Sequence, residues 1–149
     1  MKREIKTTLA LDGEKKFREE LQAASREMRL LKSETRANTL AFGENSKSVE
    51  ALTQRNQGLT KQAQQQREII DALTRAVGES AEKYGEADRR TDDYRIQLNN
   101  AQVALSRIEK EIQKNNKAIA EQKDKWKQVG EAAEKAGKSE EAETALAEP

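Results

Sequence analysis

The stretch Lys83–Thr91, KYGEADRRT, decides the fold of this chain. Gly85 followed by Asp88 reads as a helix stop and then a helix start. Glycine tolerates the backbone just past a helix end, and an aspartate oxygen accepts from the free N–H groups of the next helix. The apolar spacing nevertheless passes through the stretch without a break. If the chain turns here it is an antiparallel hairpin; if it continues it is a rod.

Outward from this point the period is helical. With Phe17 at heptad position d and Leu21 at a, 33 a and d sites run to Val129; 24 are apolar and none is charged, although 37% of the chain is. A heptad sustained this far is the sequence signature of a coiled coil. The core it predicts comprises Leu21, Met28, Leu31, Leu52, Leu59, Ile70, Leu73, Leu98, Leu105, Ile108, Ile112, Ile119 and Trp126. The polar exceptions are amides and hydroxyls, among them Asn56 and Asn115. A seam amide costs stability and sets register, because it wants another amide opposite. The alternative is a seam that is weak and partly wet there.

KYGEADRRT also has an echo. FGENSKSVEAL (Phe42–Leu52) aligns with YGEADRRTDDY (Tyr84–Tyr94), 42 residues or six heptads later. A repeat of whole heptads keeps phase across both joints, so the unbroken phase argues only weakly for a rod. Gly43 and Gly85 become the expected hinges, with Ser46 and Asp88 as helix caps. A turn centred after Gly85 sets Asn56 opposite Asn115, Leu59 opposite Ile112, Leu52 opposite Ile119 and Leu73 opposite Leu98. Around Gly43 the match fails, since Leu31 would face Asn56, and that joint is either a kink or the start of a helix that packs elsewhere. The Asn–Asn match favours a hairpin over residues 46–130, with arms of about 60 Å; the rival rod would reach about 170 Å at ~1.5 Å per residue.

The ends differ from this pattern. Ile5, Thr7, Leu9 and Leu11 alternate with polar or small residues up to the turn signal Asp12-Gly13, which predicts one short β-strand. A lone strand needs a partner for its edge; the alternative is a frayed tail. After Val129 the heptad fades into an Ala- and Glu-rich segment. The expected organisation is a strand arm at 1–13, a heptad region at 14–130 with helices near 14–42, 46–84 and 88–130, and a tail or linker at 131–149. The fold class is all-α, an extended coiled coil or antiparallel helical hairpin with one N-terminal β-strand.

Composition excludes much of chemistry. Five aromatics and 34% hydrophobic residues cannot fill a thick core, but they suffice for a narrow seam between helices. A net charge of +1 gives no polyelectrolyte attraction to nucleic acid or anionic membrane, so no specific nucleic-acid binding is expected. Cysteine and histidine are both absent, which removes disulfides, the usual zinc ligands and the commonest general base. No apolar run reaches membrane-spanning length, and no signal peptide follows Met1. The carboxylate pairs Glu19/Glu20, Asp92/Asp93 and Glu140/Glu141 sit on polar helix faces. Arg89-Arg90 could hold a phosphate or an acidic partner, though it more simply keeps the turn soluble, and KQAQQQR (Lys61–Arg67) reads as helix surface. No catalytic, cofactor-binding or metal-binding residue is assigned, and no enzyme activity or cofactor is expected. A homo-oligomer is expected, of open stoichiometry because Leu and Ile mix at both seam positions.

Three segments carry a resemblance: REIKTTLALDGEKKFREEL, NSKSVEALTQRN and YGEADRRTDDYRIQLNNAQVAL. They resemble the N-terminal region of tail tape measure proteins of long-tailed bacteriophages and prophages, over roughly Arg3 to Gln122. The strand-then-helix opening is the most specific part. The resemblance implies a structural assembly protein in the virion tail, and in the bacterial host cytoplasm during assembly. Its implied partners are tail tube protein and tail chaperones. Members of the family are usually much longer, so this chain is expected to be the N-terminal piece of one, and membrane or lytic segments do not carry over. The alternative function is a generic coiled-coil adaptor that binds partner helices or strands.

Overall fold

In the computed structural model the described residues are 5, 7–9 and 13–147, with side chains placed up to residue 136. Three helices account for nearly all of them: α1 (Glu14–Ala41), α2 (Val49–Tyr84) and α3 (Arg89–Ala147), with a short 3-10 turn at Gly43–Asn45. The described residues contain no strand. α2 and α3 form an antiparallel hairpin. Contacts across it run from Ser80–Thr91 beside the turn, through Gln66–Ala101, to Asn56–Asn115.

The turn at Gly85 is a true stop. Gly85 has φ 102° and ψ 154°, a region essentially closed to side-chain-bearing residues, and its N–H still donates to the Ala81 carbonyl. Asp88 then caps α3, its Oδ1 accepting from the Arg90 amide at 2.9 Å. Thr91 donates its hydroxyl to the Gly85 carbonyl at 2.9 Å, so the 2.8 Å contact with Ser80 must be donated by the serine. Ser80 and Thr91 are both fully buried, so this small polar pair packs between the two helices beside the turn.

The joint at Gly43 also turns, and α1 folds back along α2. Ser48, not Ser46, caps α2 by accepting from Ala51 N at 3.2 Å; Ser46 sits in the turn itself. The resulting loop is longer than a tight hairpin and shifts the register, so Thr35 lies over Gly58 and Thr39 meets Arg55. α1 therefore uses a different face of α2 from the one α3 occupies. That face is Ala51, Gly58, Gln62, Gln65, Ile69, Ala72 and Ala76, a second three-four stripe offset from the first.

The expected N-terminal strand is not seen among the described residues. Ile5, Thr7 and Thr8 lack regular structure, Leu9 is helical, and Leu11 lies outside the described residues. Ile5, Thr7 and Leu9 are buried at 4%, 7% and 2% exposure, so they offer no open edge. The backbone of the arm is instead taken up by α2: Arg75 Nη2 donates to the Ile5 carbonyl at 2.6 Å, and Leu9 N donates to Glu79 Oε2 at 2.7 Å. Side chains thus satisfy donors and acceptors that a partner strand would otherwise meet.

The main apolar cluster sits where arm, α1, α2 and α3 meet, around Ile5, Leu9, Phe17, Ile69, Leu73 and Tyr94. Phe17 and Tyr94 pack edge to face at 5.9 Å between ring centres. A smaller cluster of Leu59, Ala63 and Ile108 lies further along the hairpin. α3 has 59 residues against 36 in α2 and so overhangs it. Opposite the start of α2, Gln122 donates to the Lys47 carbonyl; from Lys123 to residue 136 every side chain is exposed.

Candidate functional site

The most developed polar arrangement is the set of amides and hydroxyls between the helices. Asn115 Nδ2 donates to Asn56 Oδ1 at 3.0 Å, and Asn56 Nδ2 donates to Asn116 Oδ1 at 2.8 Å. Asn115 is buried and Asn56 half-buried, so this network joins α2 to α3 in one register. Three glutamines extend the pattern. Gln66 Nε2 donates to the Ala101 carbonyl on α3 at 3.0 Å, while Gln65 Nε2 reaches the Ala24 carbonyl and Gln62 Nε2 the Thr35 hydroxyl on α1, both at 3.1 Å.

Gln66 holds a d position of the predicted seam and meets α3 there, whereas Gln62 and Gln65 depart from the sequence reading. Gln62, Gln65 and Gln66 are 4%, 4% and 6% exposed, so KQAQQQR is largely interface, not helix surface. The available signal was spacing: Gln62, Gln65, Ile69, Ala72 and Ala76 recur every three and four on their own stripe. Arg55 adds a clamp across all three helices. Its Nε donates to Glu111 Oε1 on α3 at 2.8 Å, and its Nη1 to Thr39 Oγ1 on α1 at 3.1 Å.

Among the expected core residues, Met28, Leu52, Leu59, Leu73 and Ile108 are buried. Leu21, Leu31, Ile70, Leu98, Leu105, Ile112 and Ile119 are half-buried, as suits a seam open on one side. Trp126 is a correction. It is 71% exposed because α2 has ended before its level is reached, and Val129 beside it is 60% exposed. Gly43 and Gly85 both take positive φ, 52° and 102°.

Charged groups gather at the closed end. Glu14 Oε2 accepts from Arg18 Nη2 at 3.0 Å, and the Arg90 guanidinium lies 3.3 Å from the centre of the Tyr84 ring. The neighbouring Tyr84 hydroxyl, opposed by burial and aided by Arg18, lowers the Glu14 carboxyl below its ordinary range, although Oε1 itself is buried without a partner at normal hydrogen-bond geometry. Arg90 lowers Asp88 in the same way, and burial raises the Tyr94 phenol. Glu14, Arg18, Arg90 and Tyr94 border a cleft with Leu21, Asp93 and Gln97. They pair with one another and present no nucleophile set against a base. The described residues hold no cluster of three or more side chains suited to a metal ion, and among them no helix is long and apolar enough to cross a membrane.

Comparison with family models, with curated proteins and with solved structures finds no match to this chain.

Proposed function

We propose that this chain is a structural, non-enzymatic scaffold: the N-terminal region of a phage or prophage tail tape measure protein. In this reading its helices associate through the heptad seam as a coiled coil, and several copies occupy the lumen of the growing tail. Tail chaperones coat them and tube protein polymerises around them. The single observation that carries the reading is a chain devoted to helix length, whose inter-helix polar groups pair with one another and with backbone. A helix converts residue number into length at a fixed rise, which is the physical requirement for a ruler. The sequence resemblance supplies the particular ruler.

The test is to shorten the native gene by whole heptads and measure tails by electron microscopy. Each heptad removed should shorten the tail, by about 10 Å where the chain is an extended helix. Unchanged tail length would overturn the proposal. A second reading, a coiled-coil adaptor, is favoured by one observation, the overhang that leaves Trp126 and Val129 uncovered. Recovery of a stable complex with a partner helix, without any effect on tail length, would select it.

A further inference from the structure

α1 and α3 both lie on α2 and touch each other at Phe17 and Tyr94. Further along, a cleft of about 450 Å³ separates them. Its floor is mixed: apolar Leu59 and Ile108, 3% and 7% exposed, lie beside the buried polar side chains of Thr35 and Gln62. Its rim is cationic: Lys32 and Arg36 come from α1, and Arg107 comes from α3. The one carboxylate at the cleft, Glu111, is already neutralised by Arg55. Arg55 in turn has its charge compensated by Glu111 and is held in place by Thr39.

Lys32, Arg36 and Arg107 make no ion pair or hydrogen bond with any described residue. Elsewhere arginines of this chain find carboxylates, as in Arg18–Glu14, Arg67–Glu109, Arg90–Asp88 and Arg95–Asp92. The full sequence carries 28 basic against 27 acidic residues, so a local excess of three unpaired cations is not forced by composition. Guanidinium forks match phosphate oxygens two at a time, and a partly enclosed cleft strengthens such contacts by limiting water around them. The volume lies in the range of small-ligand sites and exceeds what one phosphate needs.

We infer that this cleft binds a compact anion bearing two or more phosphate groups, its oxygens bridging Arg36 of α1 to Arg107 of α3. Such a ligand ties together two helices that both border the cleft. The inference does not depend on the tape measure reading.

Inorganic tripolyphosphate is the probe, titrated into the full chain by calorimetry at low and at moderate salt. The expected result is saturable binding at one site per chain, weakened at least tenfold in R36Q/R107Q. The control K123Q/K127Q removes the same charge from the overhang and should retain the affinity. Amide chemical-shift changes in the unaltered chain give a second readout that requires no variant to fold; they should concentrate on Lys32–Arg36 and Ala104–Glu111. Absence of saturable binding, equal weakening in the control, or shifts spread over all basic residues would each overturn the site.

Discussion

Asn115 of α3 donates its side-chain amide to Asn56 of α2 at 3.0 Å, 59 residues away in sequence and at the same level of the hairpin. Each is a polar residue in a seam that is otherwise mostly apolar. Replacing Asn115 alone with Ala leaves Asn56 short of a donor and should cost about 1–2 kcal/mol. Replacing both with Leu should be neutral or stabilising, but should loosen the register at the open end of the hairpin, because the amide pair no longer penalises a slip there and only Gln66–Ala101, Arg55–Glu111 and the contacts at the turn still oppose one. Urea denaturation reads the first effect. Spin labels near residues 52 and 119 read the second, as a broadened distance distribution. A double variant that keeps a single sharp distance would show that the amides do not set the register.

Gly58 is glycine because α1 passes over it. A Cβ built there would lie 2.4 Å from Thr35 Oγ1 and 3.1 Å from its Cγ2. Thr35 is not free to swing away, since its hydroxyl donates to the Leu31 carbonyl and accepts from Gln62. In an isolated helix Gly→Ala would gain roughly 1 kcal/mol. Here the clash and the loss of the Gln62 contact should win, giving a net destabilisation of about 1–3 kcal/mol. The double variant Gly58→Ala with Thr35→Ala should recover part of that loss. A more stable single variant by thermal melting would mean that α1 does not pack at this level.

The two joints differ in how far the residues announced them. The hairpin at Gly85 was legible because a glycine, a capping aspartate and an Asn–Asn match all pointed to one turn. The fold-back of α1 was not, because its seam on α2 is written in Ala, Gly and Gln, which carry little hydrophobic signal. The missed contact is close packing plus amide bonds, not apolar periodicity. The strand reading failed differently. The alternation of Ile5, Thr7 and Leu9 identified three residues that are buried, but alternation says nothing of what the backbone bonds to. Arg75 and Glu79 supply those bonds here. The cationic cleft depends on two helices converging on a third, and no linear spacing encodes it.

Thr7 sits within that arm with its hydroxyl buried and no hydrogen-bond partner. A polar atom in this position carries a desolvation cost with no compensating bond. Valine has nearly the same shape and lacks the hydroxyl. Thr7→Val should therefore raise stability by about 1 kcal/mol, seen as slower hydrogen exchange at Leu9. A drop in stability would imply an ordered water serving the hydroxyl.

Acid should act first at the closed end. Glu14 and Asp88 both have carboxyls lowered in the folded chain, by Tyr84 and Arg18 in one case and Arg90 in the other. A lowered folded value means that the native state prefers the ionised form. The stabilisation is present above the ordinary carboxylate range, near pH 4.5 for Glu14 and 3.8 for Asp88, and is lost as pH falls through the folded values. Melting followed from pH 7 down to pH 2 should show a drop confined to the region below about pH 4.5. Glu14→Gln should flatten part of that drop. Equal acid sensitivity in the variant would place the titrating groups elsewhere.

The overhang offers a reporter that needs no label, because Trp126 is the only tryptophan in the chain. Its 71% exposure arises because α3 continues after α2 has ended. In dilute solution its emission should resemble that of the urea-unfolded chain, although urea removes nearly all of the helical circular dichroism signal. Trp126→Ala should leave the free energy of unfolding unchanged within about 0.5 kcal/mol, since the side chain is largely exposed. If emission instead shifts to the blue as protein concentration rises, and a Trp126→Ala variant loses that concentration dependence, the uncovered stripe of α3 is an interface between copies. Blue-shifted emission that is independent of concentration would contradict the exposed position outright.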